Sequence, residues 1–170
     1  MSYAESTLPE FDHEMAITRK LLERLPESLL DWRPNEKSNT IGWNANHLVE
    51  IVGWVEGVLT ESSFDIDPVG GPPYATPNLS DRQTILDQFD QNVAQARAAI
   101  AAVDDHALGE MWSLFERGKE LFTMPRGAVV RTFVISHLIH HRAILSVYYR
   151  LNQVPVPAIY GPTADDTQSP

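Results

Sequence analysis

The chain has 170 residues, 43% of them hydrophobic and 21% charged. That suits one domain spanning 1–170; a chain of this size buries roughly 70% of its unfolded surface and needs no disulfide or structural metal to hold together. Cysteine is absent, which excludes disulfide frameworks, thiolate metal sites and a cysteine nucleophile, and agrees with a cytoplasmic location. The 13 Lys+Arg against 23 Asp+Glu leave a net charge of −10, a field that repels a phosphate backbone, so nucleic acid is not an expected partner.

Met1 to Glu10 has no basic start followed by an apolar run, so no signal peptide is expected. The apolar stretches are short and interrupted by charge, and no membrane span is expected either. The first helix is predicted from about Thr7 to Leu25, where Phe11, Met15, Thr18, Leu22 and Leu25 recur at helical spacing. Pro26 ends it. A second helix is expected from near Thr40 to about Leu59, with Trp43, His47, Leu48, Ile51, Trp54, Val55 and Val58 on its apolar stripe. Asp65 to Asn78, rich in proline and containing Gly70-Gly71, reads as an irregular crossover. The Ser80/Gln83 pair reads as a capping box opening a third helix, whose buried face carries Ile85, Leu86, Phe89, Val93, Ala96 and Ile100.

Trp112 to Met124 reads as two short strands around a turn at Glu116-Arg117-Gly118-Lys119. A long helix follows from Pro125 to about Asn152, and residues 153–170 form an extended, proline-rich tail. The predicted architecture is therefore all-α: a four-helix bundle with a short β-hairpin before the last helix.

Of six histidines, His137 and His141 stand at i and i+4 on the apolar stripe of the last helix, where both imidazoles reach one ion. That spacing alone is not specific. His47 falls on the buried stripe of the second helix, and three imidazoles from two facing helices would leave coordination positions open, as catalytic metal sites do. The alternative is that each ring is satisfied by hydrogen bonds. His140 is either a neighbour of the site or an outer-face residue; His13 and His106 read as surface or helix-end histidines.

Asn46-His47-Leu48, preceded by Thr40-Ile41-Gly42-Trp43, and Ser136-His137-Leu138-Ile139-His140-His141-Arg142 are the blocks by which the chain resembles the DinB-like superfamily, which includes YfiT-type proteins and metal-dependent thiol transferases. Trp32-Arg33-Pro34 and Tyr160 to Asp166 are further matching segments. The resemblance implies an up-down-down-up bundle, one divalent ion (zinc, nickel or iron) on His47, His137 and His141, and a homodimer. It implies neither DNA binding nor polymerase activity. Such a site activates either water, as in a hydrolase, or a low-molecular-weight thiol, as in an S-transferase acting on an electrophilic small molecule. A non-catalytic metal-binding stress-response or interaction module is the alternative.

A general base is expected near the ion. Glu50, one turn from His47, and Asp165 or Asp166, brought in by the tail, are the candidates, against a reading of each as solvated surface charge. Asn44 and Asn46 are candidates to orient water or a ligand histidine. Trp43, Trp54 and Tyr148 read as core residues that could also line a pocket. Arg142 either holds an anionic substrate group or pairs with a carboxylate on the outer face. Gly70-Gly71-Pro72-Pro73 is either a lid or a plain crossover.

Overall fold

The computed structural model describes residues 2–166; the last four residues of the tail and Met1 lie outside them. Helix α1 runs over Tyr3–Leu22, α2 over Ile41–Thr60 and α3 over Arg82–Ala102. The last helical rod is composite: α4 (Arg126–Val129), a π-helical stretch (Val130–Ser136) and α5 (His137–Leu151). α2 packs against α3 and α5, and α1 packs against the same two helices, so α1 and α2 lie on a diagonal of the bundle. The shared core includes Phe11, Leu21, Leu48, Val52, Phe89, Ile100, Val134 and Leu145, all at most 1% exposed. Burying such side chains stabilises the fold by about 1.5–3 kcal/mol each. Among the described residues no helix is long and apolar enough to cross a membrane.

The hairpin is present. β2 (Met111–Glu116) and β3 (Lys119–Pro125) pair antiparallel, and β1 (Ser63–Asp65) adds a parallel third strand beside β2. Arg117 and Gly118 both take positive φ, 54° and 74°. A two-residue hairpin turn matched to strand twist requires that pair of conformations, and glycine adopts one of them without strain. Asp65 holds the turn from β1, its carboxylate accepting from the Arg117 and Gly118 amides at 3.1 and 2.8 Å.

Several boundaries differ from the sequence reading. α1 begins four residues earlier than expected because Ser2 and Glu5 form a reciprocal capping box, strong enough to carry the helix through Pro9. It ends at Leu22, yet Leu25 remains fully buried after it. Asp81, rather than Ser80, caps α3: its carboxylate accepts from the Thr84 amide at 2.8 Å. That bond, followed by the Thr84 hydroxyl, holds the Asp81 carboxyl below its usual pKa. Strand β1 lies at the edge of the supposed crossover and has no alternating pattern to announce it. The π-helical stretch was likewise unexpected; such stretches concentrate at functional sites.

Candidate metal centre

α2 and α5 face each other along the bundle, and this contact brings His47 to His137 and His141. The three Nε2 atoms converge: His137 Nε2 lies 3.4 Å from that of His47 and 3.0 Å from that of His141. All three ligand atoms fall within 4.8 Å of one another. Two nitrogens each bound about 2.0–2.1 Å from one ion stand about 2.9 Å apart at a right angle and about 3.4 Å apart at the tetrahedral angle. The two separations, 3.0 and 3.4 Å, fall within that range.

The outer ring nitrogens determine what the inner ones can do. His47 Nδ1 donates to Glu50 Oε2 at 2.7 Å, with Glu50 5% exposed. His141 Nδ1 donates to Asn44 Oδ1 at 3.0 Å. The Asn44 amide is oriented by its own Nδ2, which donates to the Thr40 carbonyl at 2.8 Å. With Nδ1 of His47 and of His141 engaged as donors, their Nε2 atoms are the ones left to present lone pairs. His137 Nε2 can offer a hydrogen to only one of them. Its Nδ1 is buried, with the Phe133 carbonyl nearby but outside hydrogen-bonding geometry. Three imidazole nitrogens facing one point form a donor set that fits a divalent metal.

The electrostatics favour neutral rings. Burial first, then the neighbouring His47, His137 and His140, pull the His141 pKa down to about 3. Burial and His47 lower that of His137 in the same way. Neutral imidazole is the form that ligates.

Trp43 stacks on His47 with ring centroids 4.4 Å apart, and Trp54 stands edge-on to it at 5.6 Å and beside His137 at 5.7 Å. Both tryptophans thus wall the triad, whereas Tyr148 packs edge-on against Trp32. Asn46 ties the crossover to α2, exchanging bonds with both backbone groups of Leu79 at 2.8 and 3.0 Å. His140, His13 and His106 are exposed, though the His140 ring touches that of His141 at 4.9 Å.

Arg142 lies neither on the outer face nor in the site. It is 1% exposed, pairs with Glu14 at 2.6 Å and donates to the Tyr160 hydroxyl at 2.6 Å, which ties the tail to α1 and α5. The structure does not bring Asp165 to the triad. Its carboxylate is taken by Arg150 at 2.5 Å and by the Val156 amide at 2.8 Å. Asp166 accepts from the Thr163 amide at 2.6 Å.

A cavity of about 620 Å³, open on one side, adjoins the triad at Glu50 and His137 and is lined by α2, α3, the π-helical stretch and the sheet. Tyr74 is a cavity residue the sequence did not reveal; it follows Gly70-Gly71-Pro72-Pro73 in the crossover. Its hydroxyl accepts from Trp54 Nε1 at 3.1 Å. Burial pushes the Tyr74 pKa up to about 12, with the Glu50 charge adding and the Trp54 bond opposing. An irregular loop has no periodicity from which such a position could be read.

A model of the DinB superfamily matches residues 10–145. The chain is 28% identical over 160 residues to YrdA, an uncharacterised protein of Bacillus subtilis (strain 168), covering 94% of this chain and 89% of that protein. Its fold is similar to that of a DinB-like protein from Bacillus cereus ATCC 10987, with a TM-score of 0.71, 24% identity, and coverage of 92% of this chain and 97% of the other. A DinB-like protein from Bacillus subtilis, YjoA, gives a TM-score of 0.67 at 15% identity, covering 91% and 97%.

Proposed function

The chain belongs to the DinB superfamily, and on that premise we propose that it is a metal-dependent enzyme holding one divalent ion on His47, His137 and His141. It activates a low-molecular-weight thiol or a water for attack on an electrophilic small molecule, as an S-transferase or a hydrolase. The observation that carries this reading is the convergence of three Nε2 atoms, two of them left bare by Nδ1 bonds to Glu50 and Asn44. Zinc, nickel and iron all accept neutral imidazole. When bound, the ion supplies Lewis acidity, which lowers the pKa of a thiol or water.

The remaining work belongs to the chain's own side chains. Glu50 and Asn44 orient two ligand rings, and Trp43 and Trp54 shield them from solvent. Glu50 also lines the cavity and is the acceptor for the proton released when the thiol or water ionises. Sulfur or oxygen then bonds to the electrophilic carbon, and the leaving group departs with its electron pair.

Metal content by mass spectrometry on gently purified protein tests the centre. About one equivalent is expected in wild type and none in a His137→Ala, His141→Ala double variant. Absence of metal from wild type even after reconstitution refutes the reading. Full metallation with no turnover across thiol-plus-electrophile and ester panels supports the non-catalytic metal-binding module instead. The homodimer implied by the family is read by light scattering coupled to size-exclusion chromatography.

A further inference from the structure

The cavity beside the triad is chemically one-sided. Its walls include Trp54, Trp112, Leu114, Phe122, Phe133 and Val134, and the rings of Phe122 and Phe133 lie parallel with centroids 4.5 Å apart. Among the described residues no lysine or arginine lines it, whereas two carboxylates, Glu50 and Glu61, do. Arg126, beside Glu61, is not among the lining residues: its terminal nitrogens donate to the Val58 and Glu61 carbonyls at 2.8 and 2.6 Å and pair with Glu110 at 3.3 Å, while its Nε is buried without a partner. The amide groups of Gln88 and Asn92 are bonded in series, Gln88 Nε2 to Asn92 Oδ1 and Asn92 Nδ2 to the Val49 carbonyl, both at 2.9 Å.

We infer that this cavity seats the electrophilic substrate and that the substrate is an uncharged, largely apolar molecule rather than a carboxylate or phosphate ester. At about 620 Å³ the cavity is the size of an ordinary small-molecule site. An anion placed there meets two carboxylates and aromatic walls and, away from an ion held at the His137 end, no counter-charge among the described lining residues; an unpaired charge out of water is strongly disfavoured. A neutral apolar molecule loses nothing comparable and covers the rings. Its reacting end is the one nearest Glu50 and His137. The link to chemistry rests on the metal-dependent reading above; the binding selectivity does not.

Two probes that share one ring system decide the matter: neutral N-phenyl-1-naphthylamine and its sulfonated counterpart, 1-anilinonaphthalene-8-sulfonate. Both are titrated by fluorescence into full-length protein, metal-loaded and chelator-treated. The neutral probe is expected to bind one to one, and the sulfonate at least about 10-fold more weakly, in both preparations. Gly57 lines the cavity, and a Cβ built there meets no heavy atom within 4 Å. Gly57→Leu adds an apolar side chain at the cavity wall while raising helix propensity, and is expected to change the neutral probe's affinity at least about 10-fold without lowering the melting temperature.

Equal affinity for the two probes overturns the inference, as does a folded Gly57→Leu protein that binds the neutral probe like wild type. If Gly57→Leu does not fold, the probe pair on wild type still decides. Charge-selective binding in protein that never takes up metal supports the cavity's selectivity and refutes the metal centre.

Discussion

Replacing Glu50 with glutamine isolates the part its charge plays in the metal centre. The substitution keeps the side chain's size and one acceptor oxygen for His47 Nδ1, so the 2.7 Å contact survives in shape. What it removes is a carboxylate that is 5% exposed and therefore poorly screened by water. On the proposed reading, that charge makes His47 a more basic ligand and partly balances the dication the triad would hold. Losing an outer-shell partner of this sort typically costs 10–100-fold in metal affinity, or about 1.4–2.7 kcal/mol. Asn44→Ala removes only a neutral acceptor from His141, at 3.0 Å, and is expected to cost less. Competition titration against a chromophoric chelator reads both constants. Metal affinity of the Glu50→Gln protein within about twofold of wild type would refute the reasoning, since a carboxylate without electrostatic effect on the ion is not its partner.

His140→Ala is expected to leave metal content unchanged by mass spectrometry, because His140 is exposed and outside the cluster of ligand atoms; loss of metal would mean that the fourth histidine ligates. In metal-free protein the His141 pKa of about 3 lies below the ordinary value of 6.5, so the unfolded chain takes up that proton first. Its contribution to stability is complete above about pH 6.5 and lost progressively as the pH falls toward about 3. Urea midpoints of the metal-free protein should accordingly fall between pH 6.5 and 5, above most carboxylate titration, and less so in His141→Gln; identical slopes would contradict the depressed pKa. Arg142→Ala leaves Glu14, itself 5% exposed, without its counter-charge. About 3–5 kcal/mol of unfolding free energy should be lost by urea denaturation, and a loss below about 1 kcal/mol would show that Tyr160 alone satisfies the carboxylate.

Local chemistry made much of this protein legible before any contact was known. Apolar periodicity placed α2, α3 and the last helical rod, because a helix that must bury one face repeats its apolar residues about every 3.6 positions. The hairpin followed from apolar residues on both sides of Glu116-Arg117-Gly118-Lys119, a stretch whose Arg117 and Gly118 do take the positive φ such a turn demands. His137 and His141 were identifiable as a pair because four residues along a helix is a contact in itself.

Contacts between distant residues were decided by packing. His47 stands 90 residues from His137, and nothing in either segment specifies the 3.4 Å between their rings until α2 lies against α5. The same packing turned Glu50 from a nearby acid into the partner of His47, and made walls of two tryptophans that read as core. It also buried Arg142 on Glu14, across 128 residues, and carried Asp165 to Arg150. Tyr74 reached the cavity on a loop with no pattern at all. The sequence by itself determined the elements and one ligand pair, since propensity, periodicity and turn geometry act over a few residues. The tertiary structure decided how closely His47 meets that pair, the partners of the outer ring nitrogens and the cavity, since these depend on which faces meet.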